Sequence, residues 1–200
     1  SRLSGYQATT GQVVTSARAA ASMVEGATER VYVVGGEGLT TAFSEAGHEI
    51  VSTGSEASVV AVGFDLDLSY ERLREATKAL RAGARFIASN LDTTFPAAGN
   101  DLWPGAGTMV AALEAASGRT AEPAGKPYEP MKRLIAERLA DGPVFAVGDR
   151  PDTDLALGAN AGWTTVLTLS GVTPAVAADD IDADIIVETL AALPAALSAF

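Results

Sequence analysis

Val144 to Val147 form an apolar run that ends on Gly148-Asp149-Arg150-Pro151-Asp152-Thr153-Asp154, so three carboxylates fall within six residues. In parallel sheets ligands collect at the carboxyl ends of strands, which is where Asp149 stands. Crowded carboxylates repel one another unless a cation or a helix N-terminus compensates, and Asp154 falls in the first turn of the expected next helix. Asp149 is then left to face a cleft as an oxygen ligand. Such a ligand suits Mg²⁺, which takes one or two protein carboxylates and completes its shell with water and phosphate oxygens. The plainer alternative makes Asp149 a turn former and Asp152 a helix N-cap.

Lys126 is the second candidate. It stands in Gly125-Lys126-Pro127, a rigid turn before a helix, about one helix and one strand upstream of Asp149. A fixed ammonium beside a metal-binding carboxylate suits a phosphoryl group, whose spread negative charge both cations would stabilise in the transition state. The alternative is a solvated surface lysine.

The elements that must position these residues alternate short apolar runs with segments of helical period, the rhythm of crossover units on a mainly parallel sheet. The fold class is α/β. Strands are expected at 31–34, 58–64, 85–90, 143–149, 164–169 and 184–187. Helices are expected over LTTAFSEA, 70–82, 108–117, the stretch containing Met131, Leu134, Ile135 and Leu139, and 153–161, with a terminal helix broken or bent near Pro194. The opening SRLSGYQATTGQ reads as a polar loop. Residues 92–107, rich in Gly and Pro, read as a long loop, and loops of that length are usually functional.

Composition removes several classes of function. The chain has 200 residues, with 14 Lys+Arg against 25 Asp+Glu for a net charge of −11, no cysteine and one histidine. A field of that sign repels polyphosphate backbones and anionic headgroups, so neither nucleic acid nor a membrane surface is an expected partner. A disulfide, a thiolate nucleophile and a Cys/His zinc cage are impossible without cysteine. No apolar run approaches a membrane span, and no basic-then-apolar leader opens the chain, so the expected location is cytoplasmic. His48 reads as a surface residue, since no serine elbow accompanies it. Gly35-Gly36-Glu37-Gly38 lacks dinucleotide-binding spacing and reads as a strand-to-helix turn.

Gly125-Lys126-Pro127, then a helix, then VFAVGDRPDTDLALGANAGWTTVLTLSGVT, resembles motifs three and four of the haloacid dehalogenase superfamily, in its class with a type IIA cap. That class includes nitrophenyl phosphate, phosphoglycolate, glycerol-phosphate and nucleotide or pyridoxal phosphatases. The similarity extends back through VVTSARAAASMV, VYVVGGEGL, VAVGFDLDLSYERLREATKALRAGARFIASNLDTTFP and PGAGTMVAALEAASG.

The resemblance implies a Rossmann-like three-layer core, incomplete here, with residues 1–12 a remnant of its N-terminal part, 13–118 an α/β cap and 119–200 its C-terminal part. It implies a Mg²⁺-dependent phosphomonoesterase acting on a small phosphate ester through an aspartyl-phosphate, with a homodimer through the cap as a possible assembly. Lys126 would hold the phosphoryl oxygens, Asp149 would be the Mg²⁺ ligand and Asp154 its support, with Asp152 structural. Asn90 and Asp92, at the end of a cap strand, would select the leaving group, ordinary turn chemistry being the alternative for both.

The family's nucleophile motif, Asp-x-Asp-Gly, and its motif two do not occur before residue 13, and Ser1-Arg2 resembles the residues that follow motif two. The expectation is therefore an attacking aspartate upstream of this chain, and a chain unstable alone because the missing strand would sit mid-sheet. A minimal phosphatase assembled from Asp65, Asp67, Ser89, Lys126 and Asp149 is a further reading, against which GFDLDLSYERL resembles a cap strand and helix. A non-catalytic phosphate-binding or oligomerisation module is the alternative from another class.

Overall fold

Val31, Tyr32, Val33 and Val34 build β1 (Arg30–Val34), Val59 to Val62 build β3 (Val59–Val62), and Phe86 and Ile87 build β4 (Arg85–Ala88). β-Branched and aromatic side chains suit a pleated surface covered on both faces. With β2 (Glu49–Ile50) and β7 (Glu122–Pro123) these strands form a parallel sheet in the order β2-β1-β3-β4-β7. The computed structural model describes residues 9–173, 175 and 180–197. Residues 1–8 of the expected opening loop lie outside the described residues.

Helices cover this sheet: α1 (Ser16–Ala21), α2 (Glu37–Glu45), α3 (Tyr70–Arg81) and α4 (Ala106–Ser117). α3 begins at Ser69, whose hydroxyl accepts the Arg72 amide at 3.3 Å, a cap that contributes roughly 1 kcal/mol. Ala76, Ala79 and Leu80 of α3 and Met109, Val110 and Leu113 of α4 pack on Val34, Val60, Val62 and Phe86. Burying a side chain the size of Leu80 or Phe86 contributes roughly 1.5–3 kcal/mol. Alternation along β1 turns Val31 and Val33 to the other face, on which α2 contacts the strand.

The long loop expected at 92–107 contains regular structure. Thr94–Ala97 (β5) and Asp101–Pro104 (β6) pair antiparallel, with Phe95 opposite Trp103 and Pro96 opposite Leu102. Pro96 and Pro104 argue against strands by sequence, yet a two-stranded ribbon is all edge, where a missing N–H costs little.

The chain divides into two compact units between Gly125 and Lys126. Because Ile87 and Ala88 pair with Glu122 and Pro123, the first unit extends beyond residue 118.

The second unit holds α5 (Glu129–Ala136), β8 (Phe145–Gly148), α6 (Ala156–Ala161), β9 (Thr164–Thr168), β10 (Ile185–Val187) and α7 (Leu193–Leu197). Its strands are parallel in the order β10-β9-β8, packed around Leu155, Leu157, Val166, Leu167 and Val187, all buried. Among the described residues β8 pairs with β9 alone, and Val147 on it is exposed.

The helix expected over 153–161 opens two residues earlier, in a turn of wider pitch. Pro151–Leu155 form a wider π-type turn, in which the Leu155 amide reaches the Arg150 carbonyl at 3.3 Å, and α6 begins at Ala156. α6 ends at Gly162, whose φ of 72° lies in the left-handed region that glycine adopts without a Cβ penalty. At the C-terminal end a 3₁₀ turn, Leu190–Ala192, precedes α7, so Pro194 falls in a first helical turn, where its missing N–H is harmless.

Candidate active site

β8 delivers Asp149 to the carboxyl end of the second unit's sheet, and the turn that follows brings Asp154 back beneath it. Asp154 Oδ2 accepts the backbone amides of Asp149 at 3.3 Å and Arg150 at 3.2 Å, and its Oδ1 lies 2.6 Å from Lys126 Nζ. Asp154 stands in the first turn of the helical segment, as expected, and its carboxylate folds backward onto the strand end. A Cβ on Gly148 would lie 2.2 Å from the Asp154 Cβ, so only glycine lets the carboxylate approach. π-Type turns of this kind are frequent at functional sites.

Lys126 follows Gly125 and is joined to Pro127 by a cis peptide bond, just ahead of α5. The Lys126 side chain is 45% exposed and that of Asp154 13%. An ion pair so open to water contributes only about 0–1 kcal/mol, so its consequence is positional: it holds an ammonium beside the strand end that carries Asp149. Asp152 is exposed and pairs with Arg150 at 3.4 Å, making no N-cap bond.

Asp149 is half-buried. Its Oδ2 accepts the Val172 amide at 2.7 Å and its carbonyl oxygen accepts the Thr173 hydroxyl at 2.6 Å. Oδ1 accepts no hydrogen bond among the described residues, which leaves one hard oxygen donor at the strand end. That donor fits a Mg²⁺ ion whose remaining ligands are water and phosphate oxygens. Among the described residues no three His, Cys, Asp or Glu side chains cluster as a metal cage.

Sequence reasoning passed over Gly171, Val172 and Thr173, which the fold brings to Asp149. The available signal is topological. Gly148 pairs with Leu167, so the parallel strands β8 and β9 end side by side, and whatever follows β9 must border whatever follows β8.

Asn90 and Asp92 belong to the first unit, at the carboxyl end of β4. The Ser89 hydroxyl donates to Asn90 Oδ1 at 2.8 Å, and Asn90 Nδ2 donates to Asp92 Oδ2 at 2.7 Å. The amide of Gly107 donates to the Asp92 carbonyl at 2.9 Å, so the chain of polar groups is tied to the start of α4.

Asp65 is also in the first unit and is buried. Its Oδ1 accepts the Asp67 amide at 2.9 Å and its Oδ2 pairs with Arg72. Both oxygens are engaged, which suits a structural carboxylate and leaves neither poised for attack. Nearby, burial pushes the Tyr32 phenol above its ordinary range while Arg72 draws it down.

His48 is buried rather than a surface residue. The return from α2 into β2 folds it against Phe43, with ring centroids 6.0 Å apart, and its Nδ1 accepts the Glu29 amide at 3.3 Å. Among the described residues no helix is long and apolar enough to cross a membrane.

Comparison with known proteins shows what the chain as a whole is similar to. Residues 123–193 match the HAD-hydrolase-like family model. An acid sugar phosphatase of Staphylococcus haemolyticus is 40% identical over 167 residues, covering 81% of this chain and 62% of that protein. The crystal structure of a glycerol phosphate phosphatase from Mycobacterium tuberculosis in complex with magnesium superposes with a TM-score of 0.86 at 34% identity, covering 94% of this chain and 60% of the other. A p-nitrophenyl phosphatase from Archaeoglobus fulgidus superposes with a TM-score of 0.88 at 31% identity, covering 98% and 78% of the two chains. The chain thus spans between about half and two thirds of the length of the curated relatives it matches. On the strength of these similarities the chain belongs to the haloacid dehalogenase superfamily, in its class with a type IIA cap.

Proposed function

We propose that this chain serves a Mg²⁺-dependent phosphomonoesterase that hydrolyses a small phosphate ester, with glycerol phosphate, phosphoglycolate and nitrophenyl phosphate as candidate substrates. The observation that carries the proposal is the Lys126–Asp154–Asp149 linkage within one compact unit, an ammonium tied to the turn that presents a carboxylate oxygen. In this reading the unit up to Gly125 is the cap, and the unit from Lys126 is part of the hydrolase core.

Asp149 Oδ1 would hold the cation. Bound Mg²⁺ would act as a Lewis acid on a phosphoryl oxygen and offset developing charge. Lys126 would hold the other phosphoryl oxygens, and Asp154 would keep the ammonium in place without itself touching substrate. The Ser89–Asn90–Asp92 chain at the carboxyl end of β4 is assigned to recognition of the ester's alcohol portion, since strand ends of this kind collect ligands. The attacking carboxylate is assigned to no described residue, because Asp65 has both oxygens engaged.

The last point also favours the second reading, a module that binds phosphate without turnover. Phosphate release from the three esters by the full polypeptide, including the segment expected to carry the attacking aspartate, measured with Mg²⁺ and again after chelation, separates the two. Turnover that requires Mg²⁺ supports the enzyme. Saturable binding of inorganic phosphate that needs Lys126 and yields no product supports the module, and the absence of both removes the site assignment.

A further inference from the structure

Three consecutive residues close on Asp149. The Val172 amide donates to its Oδ2 and the Thr173 hydroxyl to its carbonyl oxygen, at 2.7 and 2.6 Å. Thr173 is 7% exposed, and a buried hydroxyl left without a partner would cost about 1–3 kcal/mol, so this bond is where its donor goes. Gly171 completes the enclosure: a Cβ there would lie 2.0 Å from Asp149 Oδ2, well inside contact distance. The loop can wrap the carboxylate only with glycine at 171. The two donors grip different atoms of one residue, fixing the main chain and the side chain together.

We infer that Gly171, Val172 and Thr173 form a positioning clamp that sets the rotamer of Asp149, holding Oδ2 on the loop and leaving Oδ1 as the one oxygen offered to a divalent cation. This rests on the assignment of Asp149 as the Mg²⁺ ligand. Groups that orient a metal ligand typically change metal affinity by about 10–100-fold when removed. None of the three residues needs to touch the cation or the substrate.

The test uses Mn²⁺ as the probe, with binding to the full polypeptide followed by electron paramagnetic resonance and the melting temperature of each variant recorded without metal. Thr173→Val is expected to weaken Mn²⁺ binding about tenfold, Thr173→Ser to restore it, Gly171→Ala to weaken it at least as much as Thr173→Val, and Asp149→Ala to remove it. Gly171→Ala acts by displacing Oδ2 and Thr173→Val by removing a donor, so either decides if the other fails to fold. If both bind Mn²⁺ as tightly as the unaltered chain while Asp149→Ala does not, the clamp is refuted and the ligand assignment stands. Equal weakness of Thr173→Ser and Thr173→Val also refutes it, since the hydroxyl would not be the agent. Unaltered binding in Asp149→Ala, or none in the unaltered chain, overturns the ligand assignment and the clamp with it.

Discussion

The turns after β3 and β8 are built from the same materials and finish in opposite states. Each follows an apolar strand, carries closely spaced aspartates (two after β3, three after β8) and leads into a helix. After β3, Asp65 is buried with one oxygen on the Asp67 amide and the other on Arg72. After β8, Asp149 is only half-buried and, among the described residues, keeps Oδ1 without a hydrogen bond, while Asp154 takes the lysine and the strand-end amides. The difference teaches that acidic spacing does not identify a working carboxylate. What identifies it is how many of its lone pairs the fold has already satisfied, and by which donors.

The largest test of this contrast is catalytic. In a polypeptide that also carries the attacking aspartate, Lys126→Met and Asp149→Asn are each expected to lower ester turnover at least about 10²-fold, the scale of losing one preorganised electrostatic contact to a transition state. Asp65→Asn is expected to leave turnover per folded molecule near that of the unaltered chain. Steady-state kinetics on glycerol phosphate and nitrophenyl phosphate provide the comparison. Activity lost in Asp65→Asn but kept in Asp149→Asn would invert the assignment and favour the minimal phosphatase built on Asp65.

A smaller effect separates the two turns by stability. Arg72→Ala leaves the Asp65 carboxylate buried with one hydrogen bond, and a buried group deprived of its partner costs about 1–3 kcal/mol, more when charged. Arg72 itself is 36% exposed, so water can reach the gap and the lower part of that range is expected. Denaturant unfolding should show it as a shift in midpoint, and pairing Arg72→Met with Asp65→Leu should recover part of the loss, since replacing both charges removes the stranded one. An unshifted midpoint in Arg72→Ala would mean that Asp65 is solvated enough to need no counter-ion.

The main strands were legible, because runs such as Val31–Val34 and Val59–Val62 can be buried on both faces only in a covered sheet, but their order in the sheet was not. Nor was the β5–β6 ribbon, since Pro96 and Pro104 suppress a strand reading that only an edge-rich ribbon tolerates. Residue type and order pointed to Lys126, Asp149 and Asp154. The resemblance also divided the roles among them, but the contacts between them were hidden. That Asp154 rather than Asp149 takes the lysine depends on the π-type turn, which widens the backbone so that the carboxylate folds back onto Gly148. The burial of His48 was equally hidden, because it is decided by how α2 returns to β2 and by the Phe43 ring it meets, neither of which a local window contains.

The smallest expected effect concerns a carboxylate that resembles Asp65 in role but sits in the same unit as Asp149. Asp184 Oδ2 accepts the Thr165 amide at 2.7 Å and the Thr165 hydroxyl at 2.8 Å, and these bonds, the amide first, hold its carboxyl below the ordinary aspartate range. The unfolded chain therefore takes up the proton more readily than the folded one. The stabilisation is present above about pH 4, near the unfolded value, and fades as pH falls through the lower folded value. Melting temperatures recorded from pH 7 down to pH 3 should fall less steeply in Asp184→Asn than in the unaltered chain. Glu122, whose carboxyl is held low by Arg85 in the first unit, supplies part of the remaining slope in both. If the two acid limbs coincide, Asp184 does not stabilise β9 by accepting from Thr165, and its carboxylate would have to be classed with Asp149 as one the fold leaves available.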